Sequence, residues 1–107
     1  MTDLVNIVSM RARAGKTDFL GGALAELVVQ TRQEPGSAVC ELNQSTEDPN
    51  LWMVYERWRG QEAFDSHMKQ PYVARFLAQM GDLISEPPKI QPFHYRLLSA
   101  KPGAGKG

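Results

Sequence analysis

The octapeptide LWMVYERW, residues 51–58, decides the fold. It is dense in aromatic, β-branched and long apolar side chains, which fit a pleated, half-buried surface. Strand alternation puts Trp52, Val54 and Trp58 on one face, with Glu56 among them, and Leu51, Met53 and Tyr55 on the other. Both faces are therefore apolar. Residues 4–11, LVNIVSMR, repeat the pattern, with Leu4, Asn6, Val8 and Met10 on one face and Val5, Ile7, Ser9 and Arg11 on the other. A sheet apolar on both sides needs two covers.

Working outward, Gly15 and Lys16 make a turn, and Thr17 is expected to cap a first helix reaching about Arg32. Its stripe is Leu20, Ala23, Leu24, Leu27, Val28 and Thr31, at helical spacing. Gly21 and Gly22 suggest close packing of that helix. The triplet Glu34-Pro35-Gly36 stops it. Ser37 to Gln44 reads as a second strand, and the polar STEDPN as a hairpin loop. A second helix is expected over Gln61–Lys69, with Pro71 interrupting it, and a third over Tyr72–Ile84. IQPFHYRLL reads as a fourth strand with Phe93, Tyr95 and Leu97 on one side and His94 opposite.

The order β-α-β-β-α-α-β gives an α+β class, ferredoxin-like βαββαβ with an antiparallel four-stranded sheet. Helices cover one face only. The economical cover for the other is a second copy of the chain, in a two-fold homodimer. Residues 1–98 form one domain, and the Gly/Lys/Pro-rich 99–107 read as a flexible tail.

Composition narrows the function classes. Lys plus Arg and Asp plus Glu number 12 each, so no excess charge points to nucleic acid or a membrane surface. No run approaches the ~18 apolar residues of a membrane span. MTDLVNIVSM lacks the basic start of a signal peptide, and a cytoplasmic protein is expected. The single Cys40 permits no intrachain disulfide, and two histidines, His67 and His94, permit no three-histidine metal site. GAGKG at the end lacks the spacing and context of a phosphate loop.

What remains is ERWRGQEAFDSHMKQPY, residues 56–72, where His67 shares a helix face with Ala63, Phe64 and Met68. One reading is a half-buried histidine bonded to a backbone carbonyl or a carboxylate. The other is a base poised near neutral pH by a partly apolar pocket. Asn6, an amide on an apolar strand, is either tied to its neighbours or a donor to a ligand oxygen. For Glu56 the expectation is an ion pair with an arginine on a neighbouring strand. Trp58 is core or a pocket wall. Tyr72 is a surface phenol or a ligand contact.

TRQEPGS, YERW and EAFDSHMKQPYVARF together resemble the antibiotic biosynthesis monooxygenase family, over about residues 4–97. The resemblance implies a ferredoxin-like fold dimerised into an α+β barrel. It also implies one of several chemistries: cofactor-free oxidation of quinols or anthrones by dioxygen, isomerisation of a small phosphorylated sugar, or haem degradation. His67 matches the histidine of the quinol-oxidising members, while Tyr72 stands where some of them carry a second histidine. Asn6 matches the strand-one asparagine of the haem-degrading branch. That branch has tryptophan where His67 stands and a histidine near Leu77, so the resemblance does not extend to haem degradation.

The expectation is a cofactor-independent monooxygenase acting on a small aromatic phenol, quinol or anthrone. His67, Asn6 and Tyr72 would be catalytic, and Trp58, Phe64 and Phe76 would wall the substrate. No metal or other cofactor is expected. The alternatives are a non-catalytic dimer that binds a small molecule, and a proton-transfer isomerase using the same histidine.

Overall fold

The apolar alternation and the helical stripe resolve into seven elements: β1 (Leu4–Arg11), α1 (Thr17–Thr31), β2 (Ser37–Gln44), β3 (Leu51–Trp58), α2 (Gln61–Met68), α3 (Pro71–Met80) and β4 (Lys89–His94). They are seen in a computed structural model that describes residues 2–96. Leu97 and the expected tail, 99–107, lie outside the described residues. The four strands form one antiparallel sheet in the order β2-β3-β1-β4, which is the ferredoxin-like arrangement. The two strands apolar on both faces, β1 and β3, are its centre.

The register of β1 against β3 assembles the covered face. Asn6 pairs with Glu56, Leu4 with Trp58 and Met10 with Trp52, so all six side chains share the helix-covered side. The core between that face and the helices is built from Met10, Val54 and Cys40 of the sheet, Leu20, Leu24 and Val28 of α1, and Phe76 of α3. Gly21 belongs to this packing. A Cβ there would stand 2.6 Å from the Trp52 ring, so the indole lies directly on the helix backbone. Gly22 faces open space and carries no such role.

Several element ends differ from the sequence expectation. Thr17 is the first residue of α1 rather than its cap, which is Lys16. The Thr17 hydroxyl instead donates to Pro49 O at 2.6 Å and accepts from Trp52 Nε1 at 2.8 Å, tying the start of α1 to the β2–β3 hairpin. The third helix stops at Met80. Ile84 lies beyond it, in an isolated bridge to Ala12, and its buried side chain joins the core from the connecting segment rather than from a helix stripe. β4 ends at His94, and the Tyr95 N–H bonds to Asp3 O at 2.9 Å. Tyr95 stacks under Arg57, whose Cζ stands 4.3 Å from the ring centroid.

The sheet face away from the helices carries Ile7, Met53 and Tyr55, all half-buried, and Phe93, which is 48% exposed. Among the described residues no helix is long and apolar enough to cross a membrane.

Candidate functional site

The turn after α1 and the last turn of α2 build the site together. Glu34 N–H bonds back to Thr31 O at 3.0 Å, and Ser37 N–H bonds to Glu34 O at 3.1 Å, so the EPG segment is a tight reversal into β2. Gly36 meets the Ala63 methyl at a distance that leaves no room for a side chain. That close approach seats α2 on the turn and brings Glu34 beneath His67.

His67 is 5% exposed. Its Nδ1–H donates to Glu34 Oε2 at 2.7 Å. An ionised carboxylate only accepts, so this bond places the ring proton on Nδ1 and leaves a lone pair on Nε2 when the imidazole is neutral. The Tyr72 hydroxyl donates to the same Oε2. Thr31 Oγ1, itself donating to Leu27 O at 2.7 Å, lies 3.3 Å from the phenol oxygen. Burial, and then the bond to the Glu34 carboxylate, raise the Tyr72 phenol above its ordinary range, so it stays protonated as a donor. Trp58, fully buried, packs its ring 4.5 Å from the imidazole, centroid to centroid.

In front of His67 is a cavity of ≈110 Å³ between the sheet, α1 and α3. Its walls are largely apolar and include Val8, Val54, Phe64 and Phe76; the polar side chains reaching it are Asn6, Glu56 and His67. Met68, Leu77 and Ile90 line it too and are exposed, so the mouth is apolar. Asn6 and Glu56 are 2% and 7% exposed, and Asn6 Nδ2 donates to Glu56 Oε1 at 3.1 Å. The expected ion pair of Glu56 with an arginine is absent among the described residues. Its cross-strand neighbour supplies an amide instead. A mostly apolar cleft with a few converging polar groups is the usual form of a small-molecule site.

The family model for antibiotic biosynthesis monooxygenase matches residues 3–79. The chain belongs to that family. A Mycobacterium tuberculosis relative described as "Putative monooxygenase Rv0793" is 28% identical over 88 residues, which cover 81% of this chain and 86% of that one. An uncharacterised Synechocystis protein, sll1783, is 29% identical over 77 residues, 71% of this chain; the match spans about half, 51%, of that longer relative. Among solved structures, PA3566 from Pseudomonas aeruginosa is similar with a TM-score of 0.85 and 27% identity, over 91% of this chain and 97% of the other. Membership in the antibiotic biosynthesis monooxygenase family accounts for the fold and leaves the reaction to the site.

Of the six residues singled out from sequence, His67, Asn6, Phe64 and Phe76 line one cavity. Trp58 and Tyr72 do not. Trp58 lies behind the imidazole, and Tyr72 lines a separate groove with Gln30, Arg75 and Gln79. From sequence, Glu34 reads only as part of a helix stop. The signal that could have found it is an acidic residue in the EPG turn taken together with a buried histidine that needs a partner. His94 lies at the end of β4 opposite Leu4, is exposed, and is not among the residues lining the cavity.

Proposed function

We propose that the chain is a monooxygenase that needs no cofactor and oxidises a small aromatic phenol, quinol or anthrone-like substrate with dioxygen. The observation that carries this reading is the 2.7 Å bond between His67 Nδ1 and Glu34, set at the wall of an apolar cavity. His67 Nε2 takes the acidic proton of the substrate, and Glu34 stabilises the imidazolium that forms. The substrate anion passes one electron to dioxygen, and the radical pair joins through a new C–O bond. For an anthrone-type CH₂, proton return from His67 and O–O cleavage release water and leave a carbonyl, so that CH₂ plus O₂ becomes C=O plus H₂O.

Asn6 holds the developing oxyanion through the amide N–H that Glu56 does not take. Tyr72 acts one step back from the substrate, fixing Glu34. Phe64 and Phe76 wall the ring, and Trp58 supports the imidazole from behind. We further propose a homodimer in which a second copy covers the face of Ile7, Met53, Tyr55 and Phe93. An apolar sheet face of this kind is a surface a soluble domain buries.

The test is oxygen uptake with a panel of hydroquinones and hydroxylated anthrones. Wild type should exceed His67→Ala by about 10²- to 10⁴-fold, the range of positioned acid–base catalysis. Equal rates would sink the role given to His67. The same His67–Glu34 pair also suits a proton-transfer isomerase, and exchange of substrate hydrogen with solvent without oxygen consumption would favour that reading. Ligand-induced thermal stabilisation with neither reaction would leave a binding protein.

A further inference from the structure

Of the three polar side chains lining the cavity, Glu56 is the one to which the proposed chemistry gives no contact with the substrate. It is 7% exposed, and among the described residues Asn6 Nδ2 is the one hydrogen-bond donor to it. A carboxylate offers about four lone-pair positions, and one held in an apolar wall is costly until donors fill them. No lysine or arginine lines the cavity, and no cation of the described residues pairs with Glu56. The second acid of the site, Glu34, stands directly behind His67. The cavity wall therefore carries the Glu56 carboxylate and no lysine or arginine, and a second carboxylate, Glu34, stands behind its histidine.

We infer that Glu56 selects the ligand: the cavity takes an uncharged aromatic ring that presents a hydroxyl donor to the Glu56 carboxylate, and it rejects rings bearing a carboxylate or phosphate. The inference rests on the reading of this cavity as the substrate site, and it narrows the substrate class within it. Like charges a few ångströms apart in a poorly solvated space repel strongly, so an anion is excluded on entry. The hydroxyl that Glu56 holds keeps its proton; His67 takes its proton from another position of the same substrate, a second hydroxyl or an anthrone-type CH₂, and the imidazolium then balances the new charge. The O–H to Glu56 bond is charge-assisted and among the stronger kinds. A phosphorylated sugar has no counter-ion here, which sets this cavity against the isomerase of that substrate.

The test is an NMR titration of the wild-type chain at pH 7 with p-cresol, 4-methylanisole and 4-methylbenzoate, three rings of closely similar size. p-Cresol should shift the cavity resonances of Val54 and Phe76 and bind at least about tenfold tighter than the methyl ether, the value of one good hydrogen bond to a charged acceptor. 4-Methylbenzoate should give no saturable shift. Glu56→Gln should admit 4-methylbenzoate and narrow the cresol-to-anisole ratio to about threefold or less. Binding of 4-methylbenzoate to wild type as tightly as p-cresol would overturn the inference, as would no binding of p-cresol. The wild-type panel decides even if Glu56→Gln does not fold. Oxygen uptake separates this inference from the reading beneath it. The ligand preference without oxygen consumption defeats the oxygenase reading alone, whereas oxygen consumption with neutral and anionic rings alike defeats the role of Glu56 alone.

Discussion

Glu34 and His67 stand 33 positions apart in the chain, yet Oε2 and Nδ1 lie 2.7 Å apart. The two residues sit on different elements, and the contact depends on Gly36 letting α2 close onto the turn after α1. The pair is thus a product of the fold, and its chemical content is a fixed imidazole tautomer.

Glu34→Gln should keep that tautomer and remove the charge. The amide oxygen takes the place of Oε2, where it accepts from both the His67 Nδ1–H and the Tyr72 hydroxyl. Long-range ¹⁵N–¹H spectra of His67 should therefore report Nδ1–H in wild type and variant alike, while the imidazolium formed in turnover loses its facing carboxylate. Where turnover is measurable, kcat should fall by about 10²-fold or more, with KM within about threefold. Glu34→Ala should instead destabilise the fold, because the His67 and Tyr72 donors both lose their acceptor, at about 1–3 kcal/mol for each donor left unpaired. A kcat in Glu34→Gln equal to that of wild type would remove Glu34 from the mechanism.

Gly21 and Gly22 are adjacent and should respond oppositely to alanine. A methyl at position 21 would meet the Trp52 ring at 2.6 Å, and that ring is anchored by its bond to Thr17 Oγ1. Gly21→Ala should cost about 1–3 kcal/mol, as overpacking does. At position 22 no atom lies within 4 Å, so Gly22→Ala should stabilise by up to about 1 kcal/mol through helix propensity. Thermal melts of the two variants beside wild type check both signs, and a loss at position 22 as large as at 21 would contradict the packing argument.

The legibility of each residue in the sequence depends on what it interacts with. β1 and β3 read from their own alternation to the residue, since a strand's face pattern is local, and β2 is delimited by the EPG stop before it and the polar loop after it. Ile84 reads as helix stripe because its spacing from Met80 is helical; its actual partner, Ala12, is 72 positions away and invisible to a periodicity argument. His67, Asn6, Phe64 and Phe76 are recoverable because a polar residue on an apolar face, or an aromatic on a helix stripe, marks its own oddity. Glu34 looks ordinary: an acidic residue at a turn. Only the tertiary closure of α2 gives it a partner. Sequence spacing places Tyr72 and Trp58 near the right histidine, but spacing alone does not tell the front of an imidazole from its back.

The uncovered sheet face makes a separate prediction. If a second copy covers it, Met53→Glu should convert the chain from twice its mass to once in light scattering. In the isolated chain Met53 is only half-buried and on the face away from the core, so the variant should remain folded by circular dichroism. A wild type that already runs as a monomer at tens of micromolar would remove the dimer from the proposal.

Cys40 should make the fold lose stability in alkaline solution. Burial, and after it the nearby Glu56 charge, push its thiol up from an ordinary 9.0 to about 12. Between those values the unfolded chain loses the thiol proton and the folded chain keeps it. The unfolded state then binds fewer protons, so stability is fully present below pH 9 and falls as pH rises towards 12. The slope from one such proton is at most about 1.4 kcal/mol per pH unit. The Tyr72 phenol, also raised, acts in the same direction from its ordinary 10.0 upward. Urea unfolding of wild type and Cys40→Ala at pH 8, 9.5 and 10.5 separates the two groups. The variant is expected to begin somewhat lower, from the small cavity it creates, and to decline less between pH 8 and 9.5, where Tyr72 contributes little. Parallel declines over that interval would mean that Cys40 titrates as freely in the folded chain as in the unfolded one.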